Sequence, residues 1–144
     1  MKKMLFIGLL LLMTSSAMAE MISITHQPAE LRDRAMVSGS KIIRELPRYT
    51  PLELVNAGAD YYQVKDVSGK TGYVHKSLTG KVPAVVVTAN VCNVRTGPGT
   101  EFSIAFKAQK GQSFKILAQQ QEWVQIKSNA GQTGWIWQNL VWGE

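Results

Sequence analysis

Apolar and polar residues alternate over short stretches of this chain, with the period of a strand and not that of a helix. Apolar residues stand at every second position in 62–64 and again in 124–126, which is typical of a strand with one buried face. Glycine-containing segments, 68–72 and 130–134, follow these stretches and are placed as hairpin turns would be. No long stretch after the first nineteen residues repeats at helical spacing. The pattern therefore predicts an all-β fold.

The chain also matches itself at a shift of 62 residues. Two blocks of the first half recur in the second, 60–65 (DYYQVK) as 122–127 (EWVQIK) and 69–74 (GKTGYV) as 131–136 (GQTGWI). We therefore predict two copies of one unit, at residues 20–80 and 84–144. Because a lone domain of about sixty residues buries too little surface to be more than marginally stable, we expect the two units to touch.

The first nineteen residues have the three regions of a secretory signal peptide. A basic start at 1–3 (MKK) precedes an apolar run at 5–13 (LFIGLLLLM) and a small-x-small site at 17–19 (AMA). The run is about half the ~20 residues that a membrane-spanning helix needs, so we expect no membrane span. We expect cleavage between Ala19 and Glu20 and an exported product, periplasmic or secreted.

Charge and composition exclude several function classes. Once Lys2 and Lys3 leave with the leader, 14 basic residues face 10 acidic ones, a mild excess that suits either an anionic envelope partner or a merely soluble surface. Nucleic-acid binding is disfavoured, because the basic residues form no stripe with interleaved aromatics and the chain is exported. The one cysteine, Cys92, and the histidines, His26 and His75, have no metal-ligand spacing. We therefore expect no metal, no cofactor and no enzyme activity.

The second copy resembles the bacterial SH3-like (SH3b) domain family. Four blocks of the family pattern occur in order, 93–102 (NVRTGPGTEF), 110–111 (KG), 122–126 (EWVQI) and 134–136 (GWI). The first copy is a divergent version that keeps 72–74 (GYV) and has Tyr61 in place of the strand tryptophan. The resemblance implies two tandem SH3-like small β-barrels packed against each other, each partly open with roughly five to seven strands. It also implies a binding module, since such domains accompany exported cell-wall hydrolases and some recognise peptidoglycan peptides.

Outward-facing aromatic residues are the candidate ligand contacts. If Val124 and Ile126 point into the core, then Trp123 and Gln125 point outward, and Trp137 follows by the same alternation about Ile136. The candidate ligand-binding residues are Phe102, Trp123, Gln125 and Trp137, around a groove between the 97–102 loop and the strands near Trp123. The alternative is that these aromatics cover the barrel edge or the contact between the copies, which we favour for Trp135 and Trp142.

A second set of residues is expected to support the structure. Arg32 and Arg95 occupy the same repeat position, where an arginine with five donors can hold loop carbonyls. With them we group Gly97, Pro98, Gly134 and Trp135. The function expected from the sequence is a non-enzymatic binding module of the cell envelope that recognises peptidoglycan or another peptide ligand. The alternative is a periplasmic protein–protein adaptor that does not bind cell wall, and the sequence assigns neither version an oligomeric state.

Overall fold

The computed structural model describes residues 19–144, which form two antiparallel sheets of seven strands each. Strands make up 52% of the described residues and helical turns 5%. The predicted all-β fold is thereby confirmed, and the two sheets are consistent with two SH3-like β units. The predicted signal peptide, apart from its last residue, lies outside the described residues.

The first sheet has the strand order β3-β2-β6-β5-β4-β1-β7. A single 3-10 turn, Lys76–Leu78, precedes β7. Its strands are β1 Met21–Ile24, β2 Glu30–Arg32, β3 Ile42–Glu45, β4 Pro51–Ala57, β5 Tyr61–Lys65, β6 Thr71–His75 and β7 Thr79–Gly80.

The second sheet has the same order seven strands later, β10-β9-β13-β12-β11-β8-β14. Here too a 3-10 turn, Gln138–Leu140, precedes the last strand. Its strands are β8 Ala84–Val87, β9 Val91–Arg95, β10 Ile104–Gln109, β11 Ser113–Gln120, β12 Trp123–Lys127, β13 Thr133–Trp137 and β14 Val141–Gly143.

Equivalent hairpins join β5 to β6 and β12 to β13. In the first, the Asp66 carboxylate accepts hydrogen bonds from the backbone N–H groups of Ser68 and Lys70, both at 3.0 Å. In the second, the hydroxyl of Ser128 accepts one from the N–H of Gln132, also at 3.0 Å. A side-chain oxygen thus satisfies turn donors in both hairpins, which is why short polar residues occur there.

Each sheet curls around its own hydrophobic core. Buried positions alternate along β12 and β13, so that one face of these strands is apolar and the other faces away from the core. The cores consist of Ile22, Ile24, Ala29, Leu31, Leu46, Leu52, Val64 and Val74 in the first sheet, and Val85, Val87, Cys92, Val94, Ala108, Phe114, Val124, Ile126 and Ile136 in the second. The inward positions predicted from alternation, Val124, Ile126 and Ile136, are all buried.

The linker between the sheets, residues 81–83, is bonded to both of them. Ser23 on β1 donates its hydroxyl to the carbonyl of Val82 at 2.7 Å. Ile116 on β11 donates its N–H to the carbonyl of Pro83 at 2.9 Å. Strand β14 of the second sheet also lies against β4 of the first. The two sheets therefore touch, as the sequence predicts.

Gly134 lies where β13 crosses β9, and the crossing leaves no room for a side chain. A Cβ at this position would fall 2.5 Å from Cγ1 of Val94 and 3.0 Å from the carbonyl oxygen of Arg95. Gly72 lies at the equivalent crossing of β6 and β2, where a Cβ would fall 2.7 Å from Cγ of Leu31. Both glycines are therefore required by the close approach of two backbones.

We expect Gly134→Ala to destabilise the second sheet by about 1–3 kcal/mol, because overpacking against a strand backbone forces the strands apart. All four tryptophans, Trp123, Trp135, Trp137 and Trp142, lie in this sheet. Urea unfolding followed by tryptophan fluorescence therefore reports on it selectively. Gln132→Ala, an exposed change in the same hairpin, is the control and should stay within about 0.5 kcal/mol. An unchanged midpoint for Gly134→Ala would contradict this account of the crossing.

The buried thiol of Cys92 should react slowly in the folded protein. Burial raises its pKa, and the thiolate is the reactive form, so its rate with a disulfide reagent at pH 8 should be at least about tenfold below that in denaturant. Because the unfolded chain ionises this thiol first, folding stability should fall slightly as pH rises past the unfolded-state pKa. Rapid reaction of the folded protein at pH 7.5 would be inconsistent with this burial.

Candidate ligand-binding cleft

A cleft of about 660 Å³ opens in the second sheet, where β9 and the loop after it face the ends of β12 and β13. Its volume lies within the roughly 300–1,000 Å³ of typical small-ligand sites. We call it the second-sheet cleft. It is lined by Val91, Cys92, Asn93, Arg95, Pro98, Gly99, Thr100, Glu101, Glu122, Trp123, Trp137 and Leu140.

Two indole side chains form one wall of this cleft. Antiparallel pairing of β12 with β13 puts Trp123 directly opposite Trp137, and residues that face each other across two strands have their side chains on the same face. Because their neighbours Val124 and Ile136 are buried, both indoles lie on the face away from the core. Trp137 is 40% exposed, so a large apolar surface with an N–H donor is available to a ligand.

The opposite wall is the loop after β9, and two contacts fix its shape. The guanidinium of Arg95 donates hydrogen bonds from Nη1 to the carbonyl of Thr100 at 3.1 Å and to that of Phe102 at 2.9 Å. The ring of Phe102 lies over Gly97, where a Cβ would come within 3 Å of it. A loop that is already ordered loses little conformational entropy when a ligand binds. This wall would therefore need little rearrangement to contact a ligand.

Two carboxylates and one guanidinium provide the charges of the cleft. Glu101 belongs to the loop after β9, and Glu122 to the turn before Trp123. Within residues 19–144, neither carboxylate is in an ion pair. Arg95 is the cation among the lining residues, and its Nη1 is engaged by loop carbonyls. The formal charge of the lining is therefore negative.

The structure brings some of the sequence-predicted residues together and leaves others apart. Trp123, Trp137, Arg95 and Pro98 line the cleft. Phe102 does not, because its ring is turned onto Gly97 and buttresses the loop.

Gln125 does not line the cleft either. It lies about 6.6 Å further along β12 than Trp123 and is paired with Trp135. Gly134 and Trp135 also lie outside the lining; Gly134 allows β13 to approach β9, and Trp135 is paired with Arg95 across that crossing.

Sequence reasoning missed the acidic residues of the cleft, Glu101 and Glu122. Both lie in loops, and strand alternation gives no information about loop side chains. A usable signal was present, since each acid is next to an aromatic residue that the sequence singled out, Phe102 or Trp123. Cys92 belongs to the core of the second sheet and also borders the cleft.

The first sheet has a smaller cleft of about 380 Å³ at the equivalent place, the first-sheet cleft. Tyr61 and His75 face each other across β5 and β6, and their rings are in edge-to-face contact with centroids 5.1 Å apart. Arg32 is within 2.6 Å of the carboxylate of Glu30 and also donates to Ser40 at 3.0 Å. The arginine of this cleft is thus paired with an acid, unlike Arg95.

Neither a membrane span nor a metal site is found in the part of the chain that the structure describes. No helix between residues 19 and 144 has the length and apolar character needed to cross a bilayer. In the same range, no group of three or more His, Cys, Asp or Glu side chains is arranged to hold a metal ion.

Comparison with protein families gives two matches along this chain. Residues 89–141 match the bacterial SH3 domain, and residues 50–78 match the GW (Gly-Tryp) dipeptide domain. Within the second match, the dipeptide is Gly72-Tyr73. Bacterial SH3 and GW domains are cell-wall-binding modules and occur in secreted or cell-wall-associated proteins.

Curated relatives match this chain over short segments. YrvJ of Bacillus subtilis, named as an N-acetylmuramoyl-L-alanine amidase, is 35% identical over 60 residues, which are 42% of this chain and 12% of YrvJ. LytH of Staphylococcus epidermidis, named as a cell wall amidase, is 32% identical over 53 residues, which are 36% of this chain and 18% of LytH. The match thus spans less than a fifth of the length of these relatives.

Among solved structures, two proteins of Trichomonas vaginalis align with most of this chain. NlpC1 aligns over 91% of this chain and 48% of its own, with a TM-score of 0.38 and 10% identity. NlpC2 aligns over 88% and 49%, with a TM-score of 0.39 and 9% identity. With TM-scores below 0.5, these alignments do not identify the fold. The fold is identified by the family match and the sheet topology. Over residues 89–141, this chain matches the bacterial SH3 domain family, and its all-β sheets are consistent with SH3-like domains.

Proposed function

We propose that this protein is a non-enzymatic binding module of the cell envelope that recognises the peptide part of peptidoglycan in the second-sheet cleft. The matched families are cell-wall-binding modules, which supports the wall as the partner. The proposal includes two domains, residues 20–80 and 84–144, and export to the periplasm after cleavage between Ala19 and Glu20.

The observation that carries this proposal is the pair of indoles facing an ordered loop. Trp123 and Trp137 form one wall, and the other is the loop that Arg95 holds through two carbonyls. Aromatic side chains of this kind supply much of the energy in peptide recognition, because they bury a large area with few rotatable bonds. An extended peptide lying between the two walls would contact both indoles.

The state of the chain's one thiol supports binding and not catalysis. A thiol hydrolase needs an accessible cysteine whose pKa is lowered by a neighbouring base. Cys92 is buried, and its pKa is raised by that burial. The second-sheet cleft is lined by neither His26 nor His75. The cleft therefore presents surfaces for contact and no activated nucleophile.

Export is tested by expressing the full 144-residue sequence in a Gram-negative bacterium. We expect the protein in the periplasmic fraction, with an intact mass that begins at Glu20, because the Ala17-Met18-Ala19 segment presents small residues to signal peptidase. Substitution of Ala17 and Ala19 by bulky residues should leave the leader attached. A full-length protein retained in the cytoplasm would contradict the proposed export.

Wall binding is tested by retention of the exported protein on purified, protein-free peptidoglycan at low and moderate salt. We expect retention at both, with a loss of about tenfold or more in a Trp123→Ala, Trp137→Ala double variant, because the two indoles supply most of the apolar contact. Leu117→Ala is the control, since Leu117 is 43% exposed on β11 and lies outside the cleft. Circular dichroism would verify that every variant is folded.

The other outcomes separate the competing explanations. Retention at low salt alone would mean that the protein's excess of basic side chains binds the anionic wall non-specifically. No retention at either salt would contradict the proposal and favour an adaptor between envelope proteins. Equal retention of the double variant would mean that the wall binds elsewhere on the protein.

A further inference from the structure

We propose that the second-sheet cleft selects peptides that carry a primary ammonium group, which Glu101 and Glu122 receive beside the indoles of Trp123 and Trp137. The inference rests on the proposed function and names the ligand chemistry of the same site. It predicts that free amines of the wall peptides, and not the sugar backbone, determine where the module binds.

The sign of charge in the cleft is opposite to that of the protein. Residues 19–144 contain 14 basic and 10 acidic side chains, yet the cleft is lined by two acids and one base, Arg95. Arg95 directs hydrogen bonds at the carbonyls of its own loop. A negatively charged cleft attracts cationic groups even though the protein as a whole is positively charged. The charge of the cleft is therefore complementary to a cationic group on the ligand.

The first-sheet cleft provides an internal comparison. There the arginine at the same repeat position, Arg32, is 2.6 Å from the carboxylate of Glu30, so base and acid neutralise each other. In the second-sheet cleft, Arg95 donates to two backbone carbonyls and, within residues 19–144, has no carboxylate partner. Within residues 19–144, Glu101 and Glu122 make no ion pair. The second-sheet cleft therefore retains two carboxylates that can receive a ligand's charge.

The aromatic wall adds to the attraction for a cation. Indole is the side chain whose face attracts cations most strongly, and Trp123 and Trp137 lie side by side. Glu101 and Glu122 come from different places in the chain, the loop after β9 and the turn before β12. A compact ammonium, with three donors that rotate freely, can be shared between two separate carboxylates. The carboxylates and indoles of the cleft are thus complementary to an ammonium group.

The test compares retention of the exported protein on purified peptidoglycan before and after its primary amines are acetylated with acetic anhydride, with the loss of amines measured by ninhydrin. Acetylation removes positive charge from the wall, so non-specific attraction of this basic protein should increase. Amine recognition predicts the opposite sign, a loss of about threefold to tenfold in affinity, which is the scale of an exposed ion pair combined with a cation–π contact.

Charge-neutralising variants assign the effect to the cleft. Glu101→Gln and Glu122→Gln should each reduce the preference for unmodified wall, and the double variant should reduce it further, to the part that the cation–π contact with the indoles supplies. Glu45→Gln is the matched control, because it removes the same charge from an exposed position on β3 of the first sheet. It should keep the full preference, and tryptophan fluorescence would verify that the second sheet is folded in each variant.

Failure of this inference is distinguishable from failure of the proposed function. Equal retention on both walls, or stronger retention on the acetylated wall, would overturn amine recognition and leave wall binding intact. A preference that Glu101→Gln and Glu122→Gln do not change would overturn the role of these two residues. No retention on either wall would overturn the proposed function, and amine recognition of wall peptides with it.

Discussion

The crossing of β13 over β9 is the contact on which the candidate site depends. The two strands are in register at one residue pair, Trp135 with Arg95, next to a glycine whose missing side chain allows the backbones to meet. This crossing brings β9 and its loop, which form one side of the cleft, against the strand that carries Trp137. If the strands were held further apart, the core beneath them would open and the two walls of the cleft would separate.

The arginine at the crossing couples the fold to the shape of the cleft. In the second sheet Arg95 holds the carbonyls of Thr100 and Phe102, so the loop wall is anchored to the same strand that forms the crossing. In the first sheet Arg32 also donates to a loop carbonyl, that of Val37 at 3.3 Å, but it is paired with the carboxylate of Glu30 and bonded to Ser40 as well. The arginine at this position of the repeat therefore has different partners in the two sheets, because the loops that follow it differ in length and composition.

The two sheets share a strand order but differ in the chemistry of their clefts. The second-sheet cleft is the larger of the two and is lined by two tryptophans and two carboxylates that, within residues 19–144, make no ion pair. The first-sheet cleft has Tyr61 and His75 in contact with each other and an acid–base pair. Ring–ring and ion-pair contacts within the protein satisfy groups that would otherwise be available to a ligand. This difference is the physical reason for proposing the second-sheet cleft as the ligand site.

The local sequence pattern was sufficient to predict the all-β class, the two hairpins, the inward positions of Val124, Ile126 and Ile136, and the outward direction of Trp123 and Trp137. These are local properties, since alternation and turn residues act over a few positions. Which of the outward residues lie together depends on the tertiary fold. Phe102 was turned onto Gly97, Gln125 was left beside Trp135, and Glu101 and Glu122 were brought to one cleft. Alternation specifies the face of a strand, but the neighbours across that face depend on strand order and loop path, which link segments that are far apart in the chain.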